Sequence, residues 1–367
     1  MRSARFVGLG LGLVLALALP PASAWAAEVG QAPSAPQTRQ AVDLSGVERF
    51  LEITAVLEQD KEPTPAEWDR LFSTPGYAVL TAHEFSKDDF ANRFRLAFMP
   101  SKKAELDARM KKETGFAAQF LPHYVRARAM RGEIERRVAE FRTAAFADEA
   151  IARARAFLPA SVTTEQPSVA FVVFAPDSRG YDPVVLDILY MNDREEFLNT
   201  VAHEFHHWCR AKLAPDLTRD LDILWVIQQV QLEGIGDLIN VPAWMKQPSE
   251  TWSASNKQFV DFYRKSPEII RAMDDLFARM QDGRGDRRDL GQQLRKTVPR
   301  SGHPTGYFMA ETIVAMLGRD ALVRTVSNPF AFFRLYSEAA RKKGGDAPVF
   351  SKNTITFIHS LEKRYGR

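Results

Sequence analysis

From Asp43 onward, apolar positions recur at helical spacing, with Val47, Phe50, Leu51, Ile53, Val56 and Leu57 forming one stripe. Pro63 and Thr64 open a second short helix through Trp68 and Leu71, and Ser73–Tyr77 reads as a turn. The pattern predicts further helices over 87–98, 101–113, 122–131 and 133–157, with charged outer faces and breaks at Pro100 and Pro122. At Val169 the period changes. Val169–Phe174 is a β-branched and aromatic run that ends at Pro176-Asp177, Gly180 punctuates the following loop, and Val184–Tyr190 is a second such run. Asp193, with Glu196 three residues later, then marks the start of a long helix. After a break around Pro215 another helix is expected from Leu221 to Asn240, and the chain reads as helices to its end. The fold class is therefore α+β and predominantly helical. An N-terminal helical region (42–160) precedes a region (161–367) in which a small β-sheet leads into the helix beginning near Asp193, followed by a helical C-terminal half. No repeat of solenoid type is present.

The first 26 residues do not belong to this pattern. Arg2 and Arg5 precede an apolar run from Phe6 to Leu19, and small residues at Ala22, Ala24 and Ala26 offer cleavage sites. This is the form of a signal peptide, so the expected location is periplasmic or secreted. Residues 27–41, rich in Gln, Pro, Ala and Ser, read as a flexible leader. No later stretch is long and apolar enough to span a membrane. Segment 1–26 holds two Arg and no acid, so its removal takes the formal charge from +3 to +1. A near-neutral chain gives no electrostatic case for nucleic-acid binding. The single cysteine, Cys209, excludes an intramolecular disulfide and reads as a small packing residue.

Chemistry concentrates at His203-Glu204-Phe205-His206-His207, an H-E-x-x-H motif. On a helix, residues four apart share a face, so His203 and His207 can place two imidazole nitrogens on one metal ion. Glu204 is turned about 100° from His203 and can reach a water at that metal as general base. Val201, Ala202, Phe205 and Trp208 surround these polar residues, which speaks for a buried helix and against a solvated face that carries two histidines by chance. The expected cofactor is one Zn2+ per chain.

A catalytic zinc site takes three protein ligands and leaves one position for water. The best third ligand is Glu233, because Cys209 points away and the remaining histidines are distant in sequence. Gly234 and Gly236 each cost a helix about 1 kcal/mol relative to Ala, and so signal a close approach to another backbone. Asp237, one turn further, can accept the spare N–H of a liganding imidazole, most simply that of His203. The alternative for Glu233 and Asp237 is a solvated helix edge, which their neighbours Leu232, Ile235, Leu238 and Ile239 do not favour. The tripeptide His83-Glu84-Phe85 echoes the motif but has Lys87 where a second histidine would stand.

Together, H-E-x-x-H, a glutamate on a later helix and an aspartate four residues beyond resemble the gluzincins, the thermolysin-like zinc peptidases. Among these the chain looks most like exported bacterial zinc-dependent peptidases that share the His-Glu-Phe-His-His run, the Glu-Gly-x-x-Asp helix and a later Gly-Tyr-x-Met segment. The match spans about Val184 to Ile239. It implies a zincin-like core with His203, His207 and Glu233 as ligands, Glu204 as base and Asp237 behind the ligands. It also implies Tyr307 as the donor that stabilises the oxyanion, with His303 as second choice; a plain packing role for Tyr307 is the alternative. In such enzymes an edge strand before the metal helix pairs with extended substrate, and Val184–Tyr190 holds that place in the sequence. Two departures stand out. The interval from His207 to Glu233 is longer than in thermolysin, and no Gly-x-Met-Glu-Asn segment of the large aminopeptidase branch is present.

The expected function is thus an exported gluzincin-type zinc metallopeptidase acting on a peptide or protein substrate, with no nucleic acid and no membrane span. The alternatives are a non-catalytic helical binding module with a structural or degenerate zinc site, and a zinc hydrolase of a non-peptide bond.

Overall fold

Helices account for most of the chain, as the periodicity requires. The structure, a computed structural model, describes residues 42–142, 146–162, 167–189, 193–214, 217, 221–345 and 347–366. The expected signal peptide (1–26) and leader (27–41) lie outside the described residues. The N-terminal helices are α1 (Ser45–Leu57), α2 (Pro65–Phe72), α3 (Pro75–His83) and α4 (Lys87–Phe98). They are followed by α5 (Lys103–Met110), α6 (Phe120–Ala129), α7 (Arg131–Phe141) and α8 (Phe146–Arg155).

Three boundaries differ from the sequence reading. Ser73–Tyr77 is not a plain turn: extended Thr74 is followed by Pro75 at the first helical position, where a fixed φ starts α3. Pro122 does not break the chain but sits in the first turn of α6, where its missing N–H costs nothing. The stretch expected as one helix over 133–157 is divided between α7 and α8.

A four-stranded sheet stands behind these helices, in the order β1 (Val42–Asp43), β2 (Val169–Val172), β4 (Val184–Asp187) and β3 (Ser178–Arg179). β1–β2 and β2–β4 are parallel, whereas β3 runs antiparallel to β4 and forms one edge. Every residue of β2 and β4 is buried, the condition of strands covered on both faces, which explains their continuous apolar character. Helices also tie down the chain beyond β2. The Tyr77 hydroxyl donates to the Val173 carbonyl and the Tyr124 hydroxyl to that of Phe174, each at 2.7 Å. Asp187, at the end of β4, accepts from the backbone N–H groups of Phe174 and Leu189, both at 2.8 Å, and pairs with His123 at 2.9 Å. One apolar core runs from Leu44 through both inner strands to Leu361, so the N-terminal helices and the region after residue 161 share it.

The remaining helices are α9 (Arg194–Ala211), α10 (Asp222–Met245), α11 (Ala254–Arg264), α12 (Ser266–Gln281) and α13 (Arg287–Thr297). After them come α14 (His303–Leu317), α15 (Arg319–Val323), α16 (Pro329–Lys343) and α17 (Lys352–Tyr365). Asp193 caps α9 by accepting from the Glu196 N–H. α10 packs against both α9 and α14. The close approach announced by Gly234 is made with α14: a Cβ on Gly234 would lie 2.3 Å from the Gly306 carbonyl carbon, and one on Gly306 would lie 2.1 Å from the Val230 oxygen. Only residues without a side chain permit this crossing. Among the described residues no helix is long and apolar enough to cross a membrane.

Candidate metal centre

Three helices converge on one carboxylate. α9 presents His203 and His207 from one face, as their spacing demands, and α10 presents Glu233. The crossing of α10 with α14 adds His303, the first residue of α14. Oε2 of Glu233 lies 3.1 Å from Nε2 of His207, 3.3 Å from Nε2 of His303 and 3.4 Å from Nε2 of His203. The ligand atoms of His203, Glu233 and His303 all lie within 4.8 Å of one another, so these residues form a cluster capable of coordinating a metal.

The donor set suits zinc: imidazole nitrogens with one carboxylate oxygen. Electrostatics points the same way. A neutral imidazole aims a lone pair from the nitrogen that carries no proton, and lone pairs facing a carboxylate repel unless positive charge lies between them. Without metal that charge has to be protons. Burial disfavours the His203 imidazolium, but the hydrogen bond to Glu233 and the charges of Asp237 and Glu204 outweigh it and raise the group to about 10. His303 is likewise raised to about 9, against burial, by Glu233 and Asp237. Glu233 is held well below the usual carboxylate range, since the facing histidines outweigh its own burial.

Asp237 is 2 % exposed and makes its hydrogen bonds to His303, whose Nδ1 lies 3.0 Å from Oδ2 and 3.2 Å from Oδ1. Its separation from Nδ1 of His203 is 3.7 Å, beyond a hydrogen bond. The partner expected for it from sequence was His203; the tighter partner is His303, because the α10–α14 crossing brings that ring nearer. His206 is fully buried, with its ring centre 6.1 Å from that of His207. Cys209 is buried as expected, and burial pushes its thiol up to about 11.

Glu204 is buried beside His203, and its Oε1 accepts a 2.7 Å hydrogen bond from the Ser178 hydroxyl of β3. Gly180, next in the same segment, rests directly on α9. A Cβ there would lie 2.7 Å from Cβ of His207 and 3.1 Å from Oε2 of Glu204. Between them, Arg179 bridges Asp177 at 2.5 Å and Glu84 at 2.5 Å. The Tyr181 hydroxyl also donates to Glu84, at 2.6 Å, and its ring stacks on His83. The tripeptide His83-Glu84-Phe85 therefore has a structural use: it anchors the segment that covers Glu204. Ser178 and Arg179 escaped the sequence reading, since only Gly180 distinguished this loop.

Tyr307 lies one turn after His303; the residue is 4 % exposed and its ring packs against Phe259 and Tyr263. Three residues in the left-handed region lead into α14: Arg300 (φ 48°), Ser301 (φ 52°) and Gly302 (φ 97°). Such backbone costs non-glycine residues about 1–3 kcal/mol each and persists where the surroundings enforce it. Here Arg300 is held by the carbonyl and hydroxyl of Ser255, and Gly302 lies against Val230.

No curated protein matches the chain, and no solved structure does. Residues 68–345 match the family described as "Putative zinc dependent peptidase (DUF5700)". That span covers most of the chain, from α2 to the end of α16, and contains every residue of the cluster just described. The chain belongs to this family.

Proposed function

We propose that the protein is an exported zinc peptidase of gluzincin type, with His203, His207 and Glu233 as metal ligands and Glu204 as general base. The observation that carries this reading is the convergence of imidazole Nε2 atoms on Glu233 Oε2 beside a buried glutamate. A zinc ion held there would act as a Lewis acid, polarising the scissile carbonyl and making water acidic enough to attack near neutral pH.

The chain's own residues supply the rest. Ser178 engages Oε1 of Glu204, which orients the carboxylate and leaves Oε2 to take a proton from the attacking water and return it to the leaving amine. For the oxyanion the donor is Tyr307, one turn after His303, because His303 gives its Nδ1–H to Asp237 and is left with a lone pair on Nε2, which cannot donate to an oxyanion. The strand that would receive extended substrate is β3, since β4 is paired on both sides and β3 ends the sheet. This relocates the edge expected at Val184–Tyr190.

The order of small sheet, H-E-x-x-H helix and glutamate helix supports a zincin-like core. The Ser178–Glu204 hydrogen bond supports catalysis over a purely structural zinc, since a structural site has no use for an oriented base. Export rests on the character of residues 1–26. The test is zinc content together with cleavage of a peptide library, with and without a chelator. The reading expects one zinc per chain and chelator-sensitive cleavage; stoichiometric zinc with no cleavage of any peptide would sink it.

A further inference from the structure

We propose that His303 is a fourth protein ligand of the zinc, so that the resting site is closed and His303 must leave before a water or a carbonyl can enter. This rests on the zinc reading above and deepens it. Zinc bonds to nitrogen and oxygen are about 2.0–2.2 Å, so neighbouring donors of a tetrahedral site stand about 3.3–3.5 Å apart. The separations of Glu233 Oε2 from the three imidazoles, 3.1, 3.3 and 3.4 Å, lie close to that edge length, and the ligand atom of His303 lies within 4.8 Å of those of both His203 and Glu233.

The surroundings treat His303 as a ligand too. A carboxylate can only accept, so Asp237 requires the proton of His303 on Nδ1 and leaves Nε2 to coordinate. A carboxylate behind the far nitrogen is what accompanies liganding histidines, fixing tautomer and ring orientation. In this chain that carboxylate engages His303 at 3.0 Å and stands 3.7 Å from His203. The backbone brings His303 to the cluster, since Gly306 and Gly302 both abut Val230 and the left-handed run Arg300–Gly302 turns the chain into α14, while the side-chain torsions stay free to move the ring.

His303 is also the member able to depart. Its side chain is 32 % exposed, against 6 % for His203 and 12 % for both His207 and Glu233. A site closed by four protein ligands has no position for water. Glu204, already oriented by Ser178, then awaits a water that enters only when His303 swings out. The gate would make the exposed histidine, and not the H-E-x-x-H pair, the point of control.

Zinc K-edge X-ray absorption of the zinc-loaded full-length chain counts bound imidazoles without any substrate. Three are expected in the wild type and two in His303→Gln, with zinc affinity in the variant lowered about 10–100-fold by chelator competition. Two imidazoles in the wild type, with zinc bound, would overturn the proposal and leave the peptidase reading intact. Absence of bound zinc would overturn both. Should His303→Gln fail to fold, the wild-type count alone decides.

Discussion

Ser178 donates its hydroxyl proton to Oε1 of Glu204 at 2.7 Å, joining the edge strand of the sheet to the buried glutamate of α9. The bond is short and both residues are buried, so it restricts the carboxylate to one orientation. It also links Glu204, through Arg179 and Glu84, to the end of α3 in the N-terminal region.

Glu204→Gln preserves size but removes the basic oxygen. Hydrolysis is expected to fall about 10²–10⁴-fold, the usual contribution of general base catalysis, with zinc content unchanged. Metal analysis beside a cleavage assay checks this; loss of zinc in the variant would assign Glu204 to the metal and not to the base.

Ser178→Ala frees the Glu204 carboxylate without touching a metal ligand. A drop of about tenfold in kcat is expected, from one lost orienting hydrogen bond of about 1.5 kcal/mol. Ser178→Thr should recover most of it. Equal activity in Ser178→Ala and wild type would show that α9 orients Glu204 unaided.

Gly306→Ala tests the helix crossing. Its Cβ would meet the Val230 carbonyl at 2.1 Å, and neither backbone can yield locally. Destabilisation of about 3 kcal/mol or more is expected in denaturant titration, together with weaker zinc binding as His303 is displaced. Gly132→Ala, where nothing lies within 4 Å, is the control expected to leave both unchanged.

Asp187 holds the end of β4 together. Asp187→Ala strands two backbone N–H groups and the buried His123 at the end of β4. A loss of about 3–5 kcal/mol in stability is expected, as when one member of a buried pair is removed. Circular dichroism melts read it directly.

Chelation should lower the melting temperature and zinc should restore it, because the metal binds the folded cluster and not the unfolded chain. At zinc a thousandfold above its dissociation constant the stabilisation is about 4 kcal/mol. A melting temperature indifferent to chelator would mean that the Glu233 cluster is balanced by protons alone.

Local physics made much of this protein legible from its residues in order. Helical period gave α1, α4 and α9, since one apolar stripe suffices to define a buried face. Continuous β-branched runs gave β2 and β4, and the i, i+4 spacing put His203 and His207 on one side of α9. The two glycines around Glu233 announced a tight contact without naming its partner. What the order of residues could not decide was which distant elements meet. His303 lies 70 residues from Glu233 in the chain, and only the backbone-to-backbone crossing of α10 and α14 at Gly234 and Gly306 brings its imidazole to 3.3 Å. Likewise β3 is two residues long, too short for a periodic signal, and exists because β4 pairs with it and α9 receives Gly180. Helix and strand type follow from short-range periodicity; the imidazoles gathered round Glu233 and the hydroxyl that holds Glu204 follow from packing between segments far apart in the chain.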